Sequence, residues 1–349
     1  MPHRADPLAV HLSPFLLEQL FLQAPALSGE AAREMAQAYL SGAAPLTPEA
    51  LAAIYRQLAT DMADEHLGLF LRPARPGTLK FLMLGLLDAP TLGVALHRYT
   101  HLFHILFDDF RLRLRRDATL AHISVHATEG HRMPDEAGQF LLLKLTHGIA
   151  SWLIADDLPL TLLHFSFGAG LRAQDYIQLF HGVPQFEQKR PQLSFARDYL
   201  ELPIRRRKPE LRSFLARAPL DWLHTTQGHG LVSREVRRVL TAALPDMPSL
   251  EIVAQRLGLS SRTLCRRLSE EGHTFQGIKN GLRRDIAIQR IAMTDKPIAD
   301  IALELGFDDP NTFYRSFRRW TGHTPGHYRQ GPGVPDNNTQ APQAQKSQA

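Results

Sequence analysis

Hydrophobic positions along the chain fall into three successive patterns. From about residue 10 to 205 the pattern is mixed, and helical spacing comes first. Ser13-Pro14 precedes Phe15, Leu16, Leu17, Leu20 and Phe21. Thr47-Pro48-Glu49 precedes Leu51, Ile54, Tyr55 and Leu58. Ala89-Pro90-Thr91 precedes Leu92, Ala95, Leu96, Tyr99, Leu102, Phe103 and Leu106. A hydroxyl side chain can accept from the free amides of a first turn, and proline's fixed φ suits that turn, so each group predicts a helix start. Residues 110–115 and 120–126 then alternate strictly, which predicts a hairpin closed by 116–119. A long helix is expected over 135–154 and a strand over 160–167, with shorter strand candidates at Phe186 and 192–195.

Residues 206–230 read as a connector: they open with Arg206-Arg207-Lys208-Pro209 and close with Gly228-His229-Gly230. The basic run 205–208 has two readings, a contact to a nucleic-acid backbone or a solvated hinge, and its place between two patterns favours the hinge. Residues 231–329 are helical almost throughout. The tail 330–349 has one valine and no aromatic residue, so it is expected to be disordered. The expected fold is therefore an α/β N-terminal sensor domain over 10–205 followed by an all-α C-terminal domain.

That second domain repeats one device, over 250–271 and again over 298–321. A short apolar helix runs into Leu257-Gly258-Leu259, and another into Leu305-Gly306-Phe307. Glycine permits the left-handed turn, the next apolar residue plugs it, and Ser or Asp begins a second helix. Leu264 and Leu268, like Phe313 and Phe317, lie one helical turn apart and turn inward, so the face between them points out. This is helix-turn-helix architecture, whose second helix enters the DNA major groove. The outward faces present Ser261, Arg262, Cys265 and Arg266 in the first unit, and Pro310, Asn311, Tyr314 and Arg315 in the second. Arg can read guanine and Asn adenine by paired hydrogen bonds, while Arg267, Arg318 and Arg319 suit phosphate. Between the units, residues 274–293 form a linker helix about 30 Å long, with Phe275, Ile278, Leu282, Ile286 and Ile291 as candidate core.

Charge agrees with this division. Residues 231–330 hold 16 Lys+Arg and 11 Asp+Glu, which is the whole of the chain's net +5. Such a local excess fits a nucleic-acid module or a merely solvated basic face equally; the paired helices, not the charge, point to double-stranded DNA as the partner. A single cysteine, Cys265, excludes an intrachain disulfide and suits a reducing cytoplasm; no apolar run is long enough to span a bilayer.

The run 298–307, then Phe313, Phe317, Arg318 and Arg319, and the ending 322–329, together with Arg283, Ala287 and Ile291 in the linker helix, resemble the AraC/XylS family of transcription regulators. Cys265 departs from the longer polar side chain common there, which puts base reading at that position in question. Residues 67–72, 89–93, Tyr99 and 109–114 resemble the arabinose-binding-like domain of the ornithine-utilisation-regulator type. The resemblance implies a bacterial regulator, an activator of a metabolic operon, with a small-molecule effector, contact to RNA polymerase and a possible homodimer. The alternative is a ligand-independent regulator whose N-terminal domain only dimerises.

Histidines supply the candidate effector contacts: His97 and His101, with His147, Trp152 and His164 elsewhere. His97, His101 and His104 share one helix face, where imidazoles a turn apart could hold a metal ion. No cysteine lies near and no His-Glu-x-x-His is present, so core packing or an organic-ligand wall is the simpler reading, and no metal or cofactor is expected. No nucleophile elbow, Walker loop, dinucleotide fingerprint or zinc-protease motif occurs, so no enzyme is expected.

Overall fold

The computed structural model describes residues 30–41, 43, 47–117, 119–169, 176, 179–180, 184–223, 232–271, 273–321 and 323–330. The helix expected after Ser13-Pro14 and the tail after Gln330 lie outside them. The chain divides into two compact units, Met1–Arg234 and Glu235–Ala349.

In the first unit, helices α1 (Glu30–Leu40), α2 (Pro48–Asp61), α3 (Thr78–Leu87) and α4 (Leu92–Leu106) precede strands β1 (Phe110–Arg116) and β2 (Leu120–Ala127). Then come α5 (Glu136–Ile154), β3 (Leu162–His164), β4 (Pro184–Gln185) and β5 (Gln192–Ala196). The starts agree with the capping residues: Thr47 accepts from Ala50 N, Thr91 from Val94 N and Asp135 from Gly138 N. The strands form one sheet in the order β1-β2-β5-β3-β4, antiparallel except for β3 with β4. The strand expected over 160–167 shrinks to the three residues that pair with β5, two of which also pair with β4; Leu160 and Phe165 are buried beyond the ladder's ends. One sheet face is apolar and buried, with Leu112, Ile123, Val125, Leu163, Leu193 and Phe195. The opposite face is polar.

The connector expected over 206–230 is instead, up to residue 223, part of the first unit's core. Helices α6 (Lys208–Ala216) and α7 (Leu220–Leu223) bury Leu211, Phe214, Leu220, Trp222 and Leu223. Pro209 belongs to the first turn of α6, a position that proline favours, rather than to a linker. Arg206 is held at the same place: its Nε donates to Trp152 O at 3.2 Å, its guanidinium lies 5.5 Å from the Trp152 ring, and it pairs with Glu210 at 2.6 Å. The fit of α7 depends on Gly148 in α5, where a Cβ would stand 2.2 Å from Trp222 O.

Helix α5 is buried over nearly its whole length and carries polar residues inside, Lys144, Thr146, His147 and Ser151 among them. Lys144 donates to Leu179 O, and burial, only partly offset by Asp157, pushes its ammonium down to about 7.

The second unit takes in α8 (Val232–Ala242) from Glu235 onward, then α9 (Leu250–Arg256), α10 (Ser261–Glu270), α11 (Phe275–Met293), α12 (Ile298–Glu304), α13 (Pro310–Thr321) and α14 (Pro325–Gln330). Both short helices end in the same way. Leu259 N donates to Ala254 O and Phe307 N to Ala302 O, bridging the turn six residues to one, with Gly258 at φ +67° and Gly306 at φ +69° between. Ser260 then caps α10 by accepting from Thr263 N, and Asp309 caps α13 by accepting from Asn311 N and Thr312 N. In α11, Ile278, Leu282 and Ile291 are buried as expected, but Ile288 takes the inward place expected of Ile286.

Three outcomes are expected. Gly148→Ala forces α7 off α5 and destabilises the first unit by about 1–3 kcal/mol, the usual cost of overpacking, with loss of the near-ultraviolet dichroism of Trp222. Gly258→Ala meets no atom within 4 Å and costs about 1 kcal/mol for its left-handed φ alone. Gly306→Ala adds a contact of 2.2 Å to Pro245 O and costs more, so urea unfolding separates the pair. Finally, an unfolded lysine retains its proton to pH ~10.4. Between about pH 7 and that value the unfolded chain binds the extra proton, so the first unit gains stability as pH rises. Melting curves at pH 7 and 9 show that gain in the wild type and a flatter profile in Lys144→Met.

Candidate nucleic-acid interface

Each reading helix is fixed from below and open above. On α10, Leu264 and Leu268 are fully buried, while Arg262, Cys265, Arg266 and Arg267 are exposed and Ser261 is half-buried. On α13, Phe313 and Phe317 are fully buried, while Asn311, Tyr314, Arg315, Arg318 and Arg319 are exposed and Pro310 is half-buried. All the residues expected to meet DNA thus share the outward faces of these two helices.

The charged side chains on those faces are lightly held. Arg266 pairs with Glu270 at 2.7 Å, with both side chains more than half exposed, and such a pair is worth under about 1 kcal/mol. A phosphate or base edge could replace it at little cost. Arg315 donates to Thr312 Oγ1 at 3.2 Å. Among the described residues, Arg262, Arg267, Arg318 and Arg319 form no ion pair. Cys265, a short and exposed thiol, stands between Arg262 and Arg266; it leaves the first face with less reach than the second.

Helix α11 holds the second device in place, through residues whose roles spacing alone did not reveal. Arg283 donates from Nε to Leu305 O at 2.9 Å and from Nη2 to Gly306 O at 2.7 Å, and its guanidinium lies 4.5 Å from the Phe307 ring. It thereby satisfies the cap carbonyl of α12 and the one after it, where a cation is also favoured by the helix dipole. Lys279 donates to Met247 O at 2.9 Å, on the segment that leads into α9. Asp285, largely buried, receives Arg237 of α8 at 2.7 Å and Arg284 at 3.1 Å. One helix of 19 residues, about 28 Å long, is therefore tied by side chains toward both devices.

The effector candidates of the first unit do not converge. His97 and His101 are exposed on α4, with ring centroids 4.2 Å apart, and are the two that come together. His147 is fully buried, with Nε2 2.8 Å from Leu158 O and its ring stacked on Phe180. Trp152 packs on Phe214 with ring centroids 4.6 Å apart. His164 is half-buried on the polar sheet face, where burial lowers its pKa. Among the described residues, no group of three or more His, Cys, Asp or Glu is placed to hold a metal ion. A hollow between α2, α3, α4, α5 and α7, lined by Tyr55, His66, Leu82, Phe103, Leu145 and Trp222, has room for about one water molecule, far less than a metabolite requires. None of the five candidates lines it. Among the described residues no helix is long and apolar enough to cross a membrane.

Comparison with known proteins agrees with this geometry. Residues 31–204 match the model of the arabinose-binding domain of AraC transcription regulators, and residues 253–331 match a helix-turn-helix domain model. The ornithine utilization regulator of Pseudomonas aeruginosa is 34% identical over 231 residues, which is 65% of this chain and 65% of that protein. The regulator VqsM of the same organism is 35% identical over 88 residues, 25% of this chain and 27% of its own length. The chain thus spans less than two thirds of these relatives. The solved structure of the regulator CdpR from P. aeruginosa aligns over 95% of this chain and 93% of its own, at 20% identity and a TM-score of 0.30, too low to equate the two backbones. With an arabinose-binding type N-terminal unit and a C-terminal unit of two helix-turn-helix devices, the chain belongs to the AraC family of transcription regulators.

Proposed function

We propose that the protein is a sequence-specific DNA-binding transcription regulator in which one chain reads two successive major-groove segments. The observation that carries this is the duplicated device: two left-handed glycine turns, each leading to a capped helix with a buried apolar seam and an outward face of Arg, Asn and Tyr. Arg262, Arg266, Asn311 and Arg315 read base edges; Arg267, Arg318 and Arg319 hold phosphates. Successive major grooves on one DNA face repeat about every 34 Å, a distance that suits reading helices on either side of α11.

The first unit responds to a small-molecule effector and couples it to DNA binding. The similarity to a regulator named for ornithine utilization supports a metabolic operon as the target, with activation through RNA polymerase in the cytoplasm. A switch of this kind requires the effector to bind one state more tightly than the other. The second reading, a first unit that only dimerises, draws support from the water-sized hollow in the helical layer.

Operator affinity tests the assignment. Replacing Arg262, Arg266, Asn311 or Arg315 singly by Ala is expected to cost about 1–3 kcal/mol, or about 5- to 150-fold, with relaxed preference at one base position each. Arg267→Ala or Arg318→Ala is expected to weaken all sequences alike and to reduce the salt slope by about one. Fluorescence anisotropy on a site selected from random DNA reads both, and unchanged affinity in all four base-reading variants would sink the assignment.

A further inference from the structure

The polar face of the sheet carries an unbalanced set of charges. The register places Arg113 opposite Ser124 and Arg115 opposite His122. It continues with His122 opposite Ser194, Ser124 opposite Gln192, and His164 opposite Gln192. These residues therefore lie side by side across four strands, a span of about 14 Å at ~4.8 Å per strand. Arg113 and Arg115 are exposed and the histidines half-buried, while Ser124 and Ser194 lie buried beneath as a floor.

Within this face several polar groups are tied to each other. His122 joins Ser194 Oγ through Nδ1 and Asp117 Oδ2 through Nε2, both at 2.9 Å, and Gln192 donates to Ser194 Oγ at 3.1 Å. Asp117, the acid that borders the face here, is already engaged: it also accepts from Thr119 N and Leu120 N. Arg113, Arg115 and Arg190 form no ion pair among the described residues, although Arg190 Nη1 stands 3.4 Å from the His126 ring. Burial first, then the positive charges of Arg190, Arg113 and Arg115, hold the His126 imidazole down to about 4. Farther along, His164 Nε2 is buried without a hydrogen-bond partner.

A merely solvated sheet face places opposite charges together, because like charges side by side cost stability. Arg113, Arg115 and Arg190, none of them ion-paired among the described residues, are instead complementary to an anion. Guanidinium also matches the planar oxygens of carboxylate and the oxygens of phosphate. We propose that this face is the effector site of the first unit and takes a small organic oxyanion, its carboxylate or phosphate held by Arg113, Arg115 and Arg190 and its hydroxyl or amide groups by Gln192, His122 and His164. The assignment rests on the ligand-responsive reading given above and names the class of ligand.

The test uses the full chain labelled with ¹³C-histidine, with His122, His126 and His164 assigned through their Gln variants. Citrate and inorganic phosphate serve as separate probes, with sorbitol and added sodium chloride as controls at matched ionic strength. Saturable movement of the His126 and His122 resonances with citrate or phosphate is expected, and the stronger probe tells carboxylate from phosphate. Affinity falls by about tenfold or more in Arg113→Gln and Arg190→Gln and is unchanged in Lys80→Gln, an exposed cation elsewhere. The proposal is overturned by silent resonances, by equal shifts in Arg113→Gln, or by movement with DNA fragments in place of both probes. If a metabolite changes operator affinity while these resonances stay still, the site is wrong and the ligand-responsive reading stands. If the probes bind here without changing operator affinity, the site stands and the reading falls.

Discussion

At Gly306 three segments meet with no space for a side chain. Its backbone presses on Pro245 O, its own carbonyl and that of Leu305 are taken by Arg283, and its left-handed φ turns the chain toward α13. The contact is steric, so it has no intermediate setting: a packed interior moves between discrete arrangements or stays where it is. Whatever angle α13 presents to DNA is consequently fixed against both α11 and the segment before α9. A Cβ at the equivalent Gly258 would meet nothing within 4 Å, and its device rests on the buried Val253, Ala254, Leu264 and Leu268 and on the Lys279 tie to Met247 O. The two reading heads share a plan but differ in how firmly they are mounted.

The DNA-binding unit was legible because every signal in it is local. A glycine between two apolar residues, a serine or aspartate two or three residues later and an apolar pair one turn apart fall within some twenty residues, and the structure places them where the spacing requires. Arg283 was visible only as part of a family pattern, since its partners lie more than twenty residues away. In the first unit the hairpin and three helix starts could be read in the same way. The segment 208–223 could not. A basic run followed by proline looks like a hinge until Leu211, Phe214 and Trp222 find the buried face of α5, and Gly148 shows its purpose only when Trp222 stands against it.

Histidine positions mark a second limit. Periodicity places His97, His101 and His104 on one face of α4, but whether that face is covered depends on which elements arrive later in the chain, and none of those described does. Conversely, the alternation of His122 and His126 could be read, whereas their neighbours Ser194, Gln192 and His164 come from strands that the sequence gives no means of ordering. Net charge misleads similarly. The chain outside residues 231–330 balances to zero, yet its sheet collects arginines on one side, because opposite charges that cancel in a sum need not be neighbours in space.

The seating of α6 and α7 also bears on how the protein can be divided for study. A fragment of the first unit ended at residue 205, where the charge run suggests a boundary, would remove Leu211, Phe214, Trp222 and Leu223 and leave the α5 surface around Gly148 and Trp152 bare to water. Contiguous apolar surface of that kind drives association between molecules, so material prepared in this way would report on its own aggregation rather than on the properties of the intact unit. A fragment carried through Leu223 retains those side chains and keeps the long helix covered.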